Sequence, residues 1–279
     1  MLWLGMVEIM SLGKAAVSSL NPYNTGTLNH DVWDKAKERV IGVDRQRLQI
    51  GTLSEKTVHA VVKNYYEPDE DHQEIPIEGK CADIYTADER IIEIQTRSFG
   101  RLKEKLDVFL PLYDVTVVMP VPDRKRIIWI DPDTGEEASV GTYRSALAPW
   151  PAFRELYSIR DYLSHPHIHV RLLLMNMTEY KLLSGRSRDR KRFGAVRYDR
   201  IPEELTGEII LNEPEDYMLF LPEELGADAP FTAAELSKAA HIPKRYLSYV
   251  TGLLRLTGVL KRLPEKKGNA WLYRCAGEE

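Results

Sequence analysis

One stretch, from Gly51 to Pro120, constrains the fold more than any other part of this 279-residue chain. Its first segment, GTLSEKTVHAVVKNYY, places apolar residues at helical spacing, whereas ADIYTA and RIIEIQT are short β-branched runs between polar turns. A second amphipathic segment, FGRLKEKLDVFL, precedes the apolar run DVTVVMPV. Together these periods predict the order helix, three strands, helix, strand.

Two acidic residues interrupt the apolar strands of this stretch. Asp83 lies in the second strand, and Glu93 lies in the third, where Glu93 and Gln95 share one face because side chains alternate along a strand. A hairpin turn at Ala87-Asp88-Glu89 would bring Asp83 to the same end of the sheet. Two adjacent carboxylates in a partly dry cleft need a bridging cation or a proton, and oxygen ligands are those that Mg²⁺ prefers.

These residues resemble the PD-(D/E)xK nuclease superfamily, which includes many restriction endonucleases and the archaeal Holliday junction resolvases. The resemblance covers about seventy residues and implies an α/β restriction-endonuclease-like core with αβββαβ order and a mixed sheet. It implies that Glu55 is the helix carboxylate, that Asp83 and Glu93 are ligands of Mg²⁺ or Mn²⁺, and that water attacks a DNA phosphodiester in line. Gln95 stands where the family has a lysine, and Lys103 or Lys105 could supply the missing charge.

The C-terminal part of the chain has a different pattern. Thr232 can cap the helix TAAELSKAA, a turn follows at Ala240-His241-Ile242-Pro243, and PKRYLSYVTGLLRLTG is a second amphipathic helix. A strand, a Gly268-Asn269 turn and a further strand complete the segment. This pattern resembles a winged helix-turn-helix, an α+β domain whose second helix and hairpin contact DNA in many members, while in other members it serves as a protein–protein module.

The predicted domains are an N-terminal, partly helical extension (1–45), the nuclease-like domain (46–212) and the winged helix domain (213–279). The segment IPEELTGEIILNEPEDY, rich in carboxylates and prolines, is predicted to be the connector between the last two.

The net charge of −4 gives no overall attraction to nucleic acid, so DNA contacts require local basic clusters. Three such clusters are predicted to contact DNA: the end of the third strand, the loop SGRSRDRKRFG, and the second helix with the hairpin of the C-terminal domain. Their members are Arg97, Arg186, Arg188, Arg190, Lys191, Arg192, Lys244, Arg245, Arg262, Lys266 and Lys267.

The composition, with two distant cysteines and a charge-interrupted N-terminus, predicts a cytoplasmic protein without membrane association. A homodimer is compatible with the sequence. Two functional hypotheses stay open at this point. The chain is a Mg²⁺-dependent endonuclease, or it is a catalytically inactive DNA-binding regulator that uses the nuclease fold as a scaffold or dimerisation unit. On a third interpretation Asp83 and Glu93 are ordinary surface carboxylates.

Overall fold

The computed structural model describes residues 27–46, 56–96, 99–141, 144–145, 148–183, 196–222, 225 and 229–276. It is an α/β fold with one mixed sheet and a second, small antiparallel sheet. The helices are α1 (His30–Gln46), α2 (Lys56–Tyr66), α3 (Leu102–Phe109), α4 (Trp150–Ser158), α5 (Ala233–Ala239) and α6 (Lys244–Leu256). The strands are β1 (Gln73–Ile77), β2 (Lys80–Tyr85), β3 (Ile91–Ile94), β4 (Val115–Ile130), β5 (Glu137–Val140), β6 (Arg144–Ser145), β7 (Ile168–Leu182), β8 (Val196–Leu211), β9 (Phe231–Thr232), β10 (Leu260–Lys267) and β11 (Ala270–Cys275).

The order predicted for the opening stretch is confirmed: α2 is followed by β1, β2, β3, α3 and β4. The turn between β2 and β3 is also confirmed, because the Thr86 amide donates to the Arg90 carbonyl and Ile84 pairs with Ile92. Strand β3 then runs parallel to β4, which is parallel to β7. Parallel neighbours need a crossover, and α3 and α4 provide the two crossovers.

Three long strands carry the sheet beyond the short strands β1 to β3. The main order is β1-β2-β3-β4-β7-β8, while β5 and β6 pair with the outer part of β4. Strand β3 stops pairing with β4 at Val118, but β4 continues to Ile130 beside β7. We call this continuation, residues 122–130, 175–182 and 196–205, the outer arm.

The predicted connector is wrong, because its residues 201–211 belong to β8. Pro202 opposes Met177 and Gly207 opposes Leu174, at points where the register between β7 and β8 shifts. A proline is tolerated in a strand at such bulges, where the ladder hydrogen bond is already lost. The chain leaves the sheet afterwards, through a short 3₁₀ helix at Pro214–Phe220.

Two hydrophobic clusters pack the faces of the large sheet. On one face α1 and α2 bury Trp33, Val58 and Val61 against Leu173 and Met175. On the other face α3 and α4 cover the sheet, and this second cluster continues without a break into the C-terminal segment. Its members there are Phe231, Leu236, Ile242, Val250, Leu253, Leu254, Val259 and Leu260. The small sheet therefore shares a hydrophobic core with the large one.

The small sheet has the order β10-β11-β9, with α5 and α6 between β9 and β10. Thr232 caps α5 as predicted: its hydroxyl accepts from the Glu235 amide, while the Glu235 carboxylate accepts from the Thr232 amide. Such a reciprocal box satisfies two backbone donors at the start of a helix.

The contact between α4 and α6 depends on the missing side chain of Gly252. A Cβ added there would lie 2.6 Å from Cε2 of Tyr157, whose ring packs edge-on against Tyr249 with centroids 5.6 Å apart. We expect Gly252→Ala to lower the free energy of unfolding by about 1–3 kcal/mol through overpacking. In a Tyr157→Ala background the same change should instead stabilise by about 1 kcal/mol, because alanine is the better helix former. Urea unfolding of the four proteins measures both values, and equal effects in the two backgrounds would contradict the contact.

Candidate active site

The candidate site forms where β2 and β3 separate. Their backbones pair at Ile84–Ile92 and Tyr85–Ile91, and the next residues toward the open end are Asp83 and Glu93. There the carboxylates occupy the gap between the strands. The Asp83 amide donates to Oε1 of Glu93 at 3.3 Å, and the Ile94 amide donates to Oδ2 of Asp83 at 2.8 Å. Each carboxylate thus accepts a hydrogen bond from a backbone amide of the neighbouring strand.

Helix α3 brings a lysine to both carboxylates. Nζ of Lys105 lies 2.9 Å and 2.8 Å from the two oxygens of Glu93 and 3.6 Å from Oδ1 of Asp83. Lys105 follows the buried Leu102 by one turn and directly precedes the buried Leu106, and these two leucines fix the helix on the sheet. Of the two predicted lysines, the structure therefore selects Lys105. Among the described residues, Lys103 makes no hydrogen bond or ion pair with either carboxylate.

Helix α2 reaches the site from the other face of the sheet through His59. Its Nε2 lies 3.2 Å from Oδ2 of Asp83. The sequence places His59 on the face of a helix but gives no sign of this contact, because the two residues are 24 positions apart. The helix carboxylate that was predicted, Glu55, lies outside the described residues.

Burial and charge shift the pKa values of this cluster in opposite directions. Burial, followed by the charge of Asp83, raises the pKa of Glu93 to about 7, although Lys105 opposes the shift. Burial would also raise the pKa of Asp83, but the hydrogen bond and charge of His59, then Lys105 and the Ile94 amide, lower it below its usual value. Burial lowers the pKa of Lys105, yet the charges of Glu93 and Asp83 outweigh that and raise it. The cluster therefore holds one firmly ionised acid, one firmly charged lysine and one acid that exchanges its proton near neutrality.

The raised pKa of Glu93 gives a stability prediction with a definite sign. A carboxyl group that is easier to protonate in the folded state stabilises the fold below its unfolded pKa, and this contribution is lost as the pH rises toward about 7. Glu93→Gln removes the titration. We expect the stability difference between variant and wild type to shift in favour of the variant between about pH 4.5 and 7, on the order of 2–3 kcal/mol. Urea unfolding across this range in EDTA measures it, and a pH-independent difference would contradict the assignment.

The remaining predicted residues fall into three groups. Gln95 is half-buried and directly follows β3. Its backbone amide donates to the Val118 carbonyl, so Gln95 lies at the end of the strand that carries Glu93. Arg97, Arg186, Arg188, Arg190, Lys191 and Arg192 lie outside the described residues. The basic residues of the C-terminal segment are far along the chain from Asp83 and are exposed on α6 and on the hairpin of β10 and β11.

The exposed basic residues of the C-terminal segment differ in their contacts. Arg262 and Lys266 flank the half-exposed ring of Trp271, at 4.6 Å and 4.1 Å from its centroid. Lys267 instead forms an ion pair of 2.8 Å with Glu235, the capping residue of α5. This pair and the capping hydrogen bonds lower the pKa of Glu235 to about 2. The hairpin of β10 and β11 thus carries a cation–aromatic group around Trp271 and an ion pair that links it to α5.

Lys244 and Arg245 open helix α6, the second helix of the C-terminal segment. Both side chains are exposed, and the Arg245 guanidinium lies 4.9 Å from the centroid of the Tyr246 ring. Tyr249, one turn further on, packs against Tyr157 of α4. The start of α6 is therefore exposed to solvent, while its next turn packs against α4.

Within the described ranges, no group of three or more His, Cys, Asp and Glu side chains converges as metal ligands would, so Asp83 and Glu93 form a pair rather than a full cage. In the same part of the chain, no helix is both long and apolar enough to cross a membrane.

Comparison with known proteins places this site within a family. A protein of Treponema pallidum (strain Nichols), described as "Uncharacterized protein", is 31% identical over 146 residues, which cover 52% of this chain and 58% of that protein. The chain thus matches little more than half the length of this relative. No solved structure matches the chain. The family model described as "Domain of unknown function (DUF8091)" matches residues 56–212, the range that contains Asp83, Glu93 and Lys105. Because this match covers more than half of the chain, the protein belongs to the DUF8091 family.

Proposed function

We propose that this chain is a metal-dependent nuclease of the PD-(D/E)xK type that hydrolyses phosphodiester bonds of DNA. The observation that carries the proposal is the meeting of Asp83, Glu93 and Lys105 where β2 and β3 separate. The order α2, β1, β2, β3, α3, β4 supports the nuclease-like core, since it is the αβββαβ order of the superfamily. The acidic residues also lie on the strands where the superfamily carries its metal ligands. On this assignment the lysine absent from position 95 is supplied from α3.

The donor set suits a hard divalent cation. Asp83 and Glu93 are oxygen donors on neighbouring strands, and the ammonium of Lys105 already lies within 3.6 Å of both carboxylates, so this position favours positive charge. Mg²⁺ commonly uses one or two protein carboxylates and completes its shell with waters and substrate phosphate. Asp83 and Glu93 would hold Mg²⁺ or Mn²⁺. When bound, such an ion polarises a phosphoryl oxygen and lowers the pKa of water.

The chain's own residues have separate tasks in the proposed hydrolysis. A water oxygen bonds to phosphorus and its proton passes to solvent, while one P–O bond of the diester breaks and the departing oxygen takes up a proton from solvent. Lys105, on its flexible stem, stabilises the negative charge that develops on the phosphoryl oxygens. Glu93 serves as a ligand of the ion: burial and the charge of Asp83 raise its pKa to about 7 in the metal-free protein, and a bound cation would favour its ionised form. Gln95 orients the water, and His59 positions Asp83.

The C-terminal segment is proposed to be a winged helix domain that holds duplex DNA. The order β9, α5, α6, β10, β11 and the three-stranded sheet support this assignment. Lys244 and Arg245 at the start of α6 would meet a groove, and Arg262 and Lys266 would meet the backbone. Lys267 is engaged by Glu235 and is the weakest of the five predicted contacts in this domain.

A second candidate function has an observation in its favour. Lys105 engages both oxygens of Glu93, so the protein neutralises part of the acidic pair without any metal ion. A DNA-binding regulator that has lost catalysis would keep this ion pair as a structural element. The two candidates differ in whether DNA is cut.

Cleavage assays separate the two candidates. We expect the wild type to nick supercoiled plasmid or cut branched and single-stranded oligonucleotides with Mg²⁺ or Mn²⁺. Asp83→Ala and the isosteric Asp83→Asn should each lose at least about 100-fold in rate. Asp88→Asn, in the turn between β2 and β3, is the matched control and should cut normally. Absence of cleavage by the wild type, alongside salt-sensitive DNA binding, would favour the regulator.

A further inference from the structure

A second buried carboxylate organises positive charge on the outer arm. Glu179 on β7 is 3% exposed, and three cations lie 3.3 Å from its oxygens: Lys125 of β4, Lys181 of β7 and Arg200 of β8. We call these four residues the Glu179 cluster. Each long strand of the arm contributes one cation, and the group carries a net charge of about +2, since lysine and arginine stay protonated at neutral pH.

The cations of the Glu179 cluster are held in place but still reach solvent. The side chains of Lys125, Lys181 and Arg200 are 31%, 20% and 20% exposed. The Lys181 ammonium also lies 5.4 Å from the centroid of the Trp129 ring. Side chains that are already anchored by charged contacts lose little further entropy when they bind a ligand. A preorganised, partly exposed set of cations beside an aromatic ring suits a phosphate backbone.

The Glu179 cluster lies on the outer arm, beyond the buried methionines of β7. Along β7, Met175 and Met177 are buried under these helices with Trp33 and Val58. Glu179 and Lys181 follow at the same alternation, so they continue that face beyond the buried methionines. The cluster therefore begins where the buried apolar residues of this face of β7 end, next to the start of α2, where Thr57 donates to Asp199.

The Glu179 cluster lies on the side of the sheet from which α2 brings His59 to Asp83. Glu93 pairs with Val117, and Lys125 is eight residues further along β4, which places the two sites at most about 28 Å apart. Helix α2 also links them: His59 contacts Asp83, and Thr57 donates to Asp199, the neighbour of Arg200. This distance corresponds to about eight base pairs of duplex DNA.

We propose that the Glu179 cluster is a phosphate-binding platform that contacts the backbone of duplex DNA within about eight base pairs of the scissile bond. The inference rests on the proposed nuclease function and gives its substrate a minimum extent. In this role Lys125, Lys181 and Arg200 contact the phosphates, and Glu179 positions them. A merely structural cluster would instead serve to hold the three long strands together.

Paired substitutions distinguish these two roles. Lys125→Gln and Lys181→Gln remove cations, whereas Glu179→Gln removes the central carboxylate and leaves all the cations. Arg90→Gln is the matched control, because Arg90 is an exposed cation in the β2–β3 turn whose guanidinium forms an ion pair with Asp88. Binding of a duplex of about 30 base pairs, in EDTA to prevent cleavage, is measured between about 50 and 200 mM salt. Lys181→Arg tests rescue.

We expect each lysine-to-glutamine change to weaken binding by about 5–10-fold near 0.1 M salt and to reduce the salt slope by about one. Lys181→Arg and Arg90→Gln should bind like the wild type. Glu179→Gln should bind at least as tightly as the wild type while its thermal midpoint falls. The opposite pattern, with Glu179→Gln weakening binding and the lysine variants behaving like the wild type, would overturn the platform.

Failure of the platform can be told apart from failure of the proposed function. If the wild type binds and cuts DNA but all the lysine variants keep its affinity and salt slope, only the platform is overturned. If the wild type binds no DNA even at about 50 mM salt, both proposals are overturned together.

Discussion

Lys105→Gln should lower the rate of DNA cleavage by about 100- to 1000-fold. Its ammonium is the cation that contacts both carboxylates of the site, at 2.8 Å from Glu93 and 3.6 Å from Asp83. Glutamine keeps much of the side-chain length but supplies no positive charge to the phosphoryl oxygens. Single-turnover cleavage at saturating protein measures the loss in the chemical step, apart from any change in DNA affinity.

The neighbouring Lys103 provides the matched control for this prediction. It lies on the same helix, and Lys103→Gln removes the same charge without touching the ion pairs of Glu93. We expect that variant to cut within about threefold of the wild type, because distant surface charges act weakly at ordinary salt. Lys105→Arg should retain part of the activity. Equal losses in the two glutamine variants would show that Lys105 acts only through the overall charge of α3.

Loss of Lys105 also removes the partner of a buried acid, so its folding must be followed. Glu93 is fully buried, and an unpaired buried charge is costly. Because its pKa is already raised to about 7, Glu93 can take up a proton and avoid most of that cost. Lys105→Gln should therefore remain folded at pH 6, with an intact circular dichroism spectrum, while its activity stays low.

Phe153→Ala should lower the free energy of unfolding by about 3–5 kcal/mol, the usual cost of deleting a buried phenylalanine side chain. Phe153 is fully buried on α4, with its ring 4.7 Å from Phe220 and 5.8 Å from Trp150 between centroids. Phe220 ends the 3₁₀ helix that leads to the C-terminal segment, so this aromatic group belongs to the core shared by the two sheets. Urea unfolding followed by tryptophan fluorescence and by circular dichroism measures the change.

The shared core adds a second expectation for the same experiment. Wild type and Phe153→Ala should each unfold in one transition with both probes, because residues of the large and small sheets lie in one continuous cluster. Leu112→Ala is the control: its side chain is 61% exposed, and the change should stay within about 0.5 kcal/mol. Two separate transitions, with only one moved by Phe153→Ala, would contradict a common core.

Local patterns were sufficient to predict the elements around the site. The periods of apolar residues gave α2, the strands β1 to β3, α3 and β4 in their observed order, and a polar turn gave the hairpin that makes Asp83 and Glu93 neighbours. Capping chemistry likewise predicted the start of α5 at Thr232. These features depend on residues that are close together in the chain, so the local sequence is enough to predict them.

Long-range partners decided what the local patterns missed. Residues 201–211 carry prolines and carboxylates and resemble a connector, but bulges opposite Leu174 and Met175 let them complete β8. The outer arm exists because β7 supports the whole length of β4 beyond the end of β3. Propensity cannot anticipate either outcome, since strand pairing to a distant neighbour outweighs it.

By itself the sequence determined the order of elements around the site, the two acidic positions and the capped helix of the C-terminal segment. The tertiary structure decided which lysine joins the acidic pair, how His59 reaches Asp83, and that Glu179 gathers one cation from each of three strands. The physical reason is that helix and strand periods follow from steric and hydrophobic rules acting over a few residues. Charge partners instead depend on distances between strands and helices that only the packed core fixes.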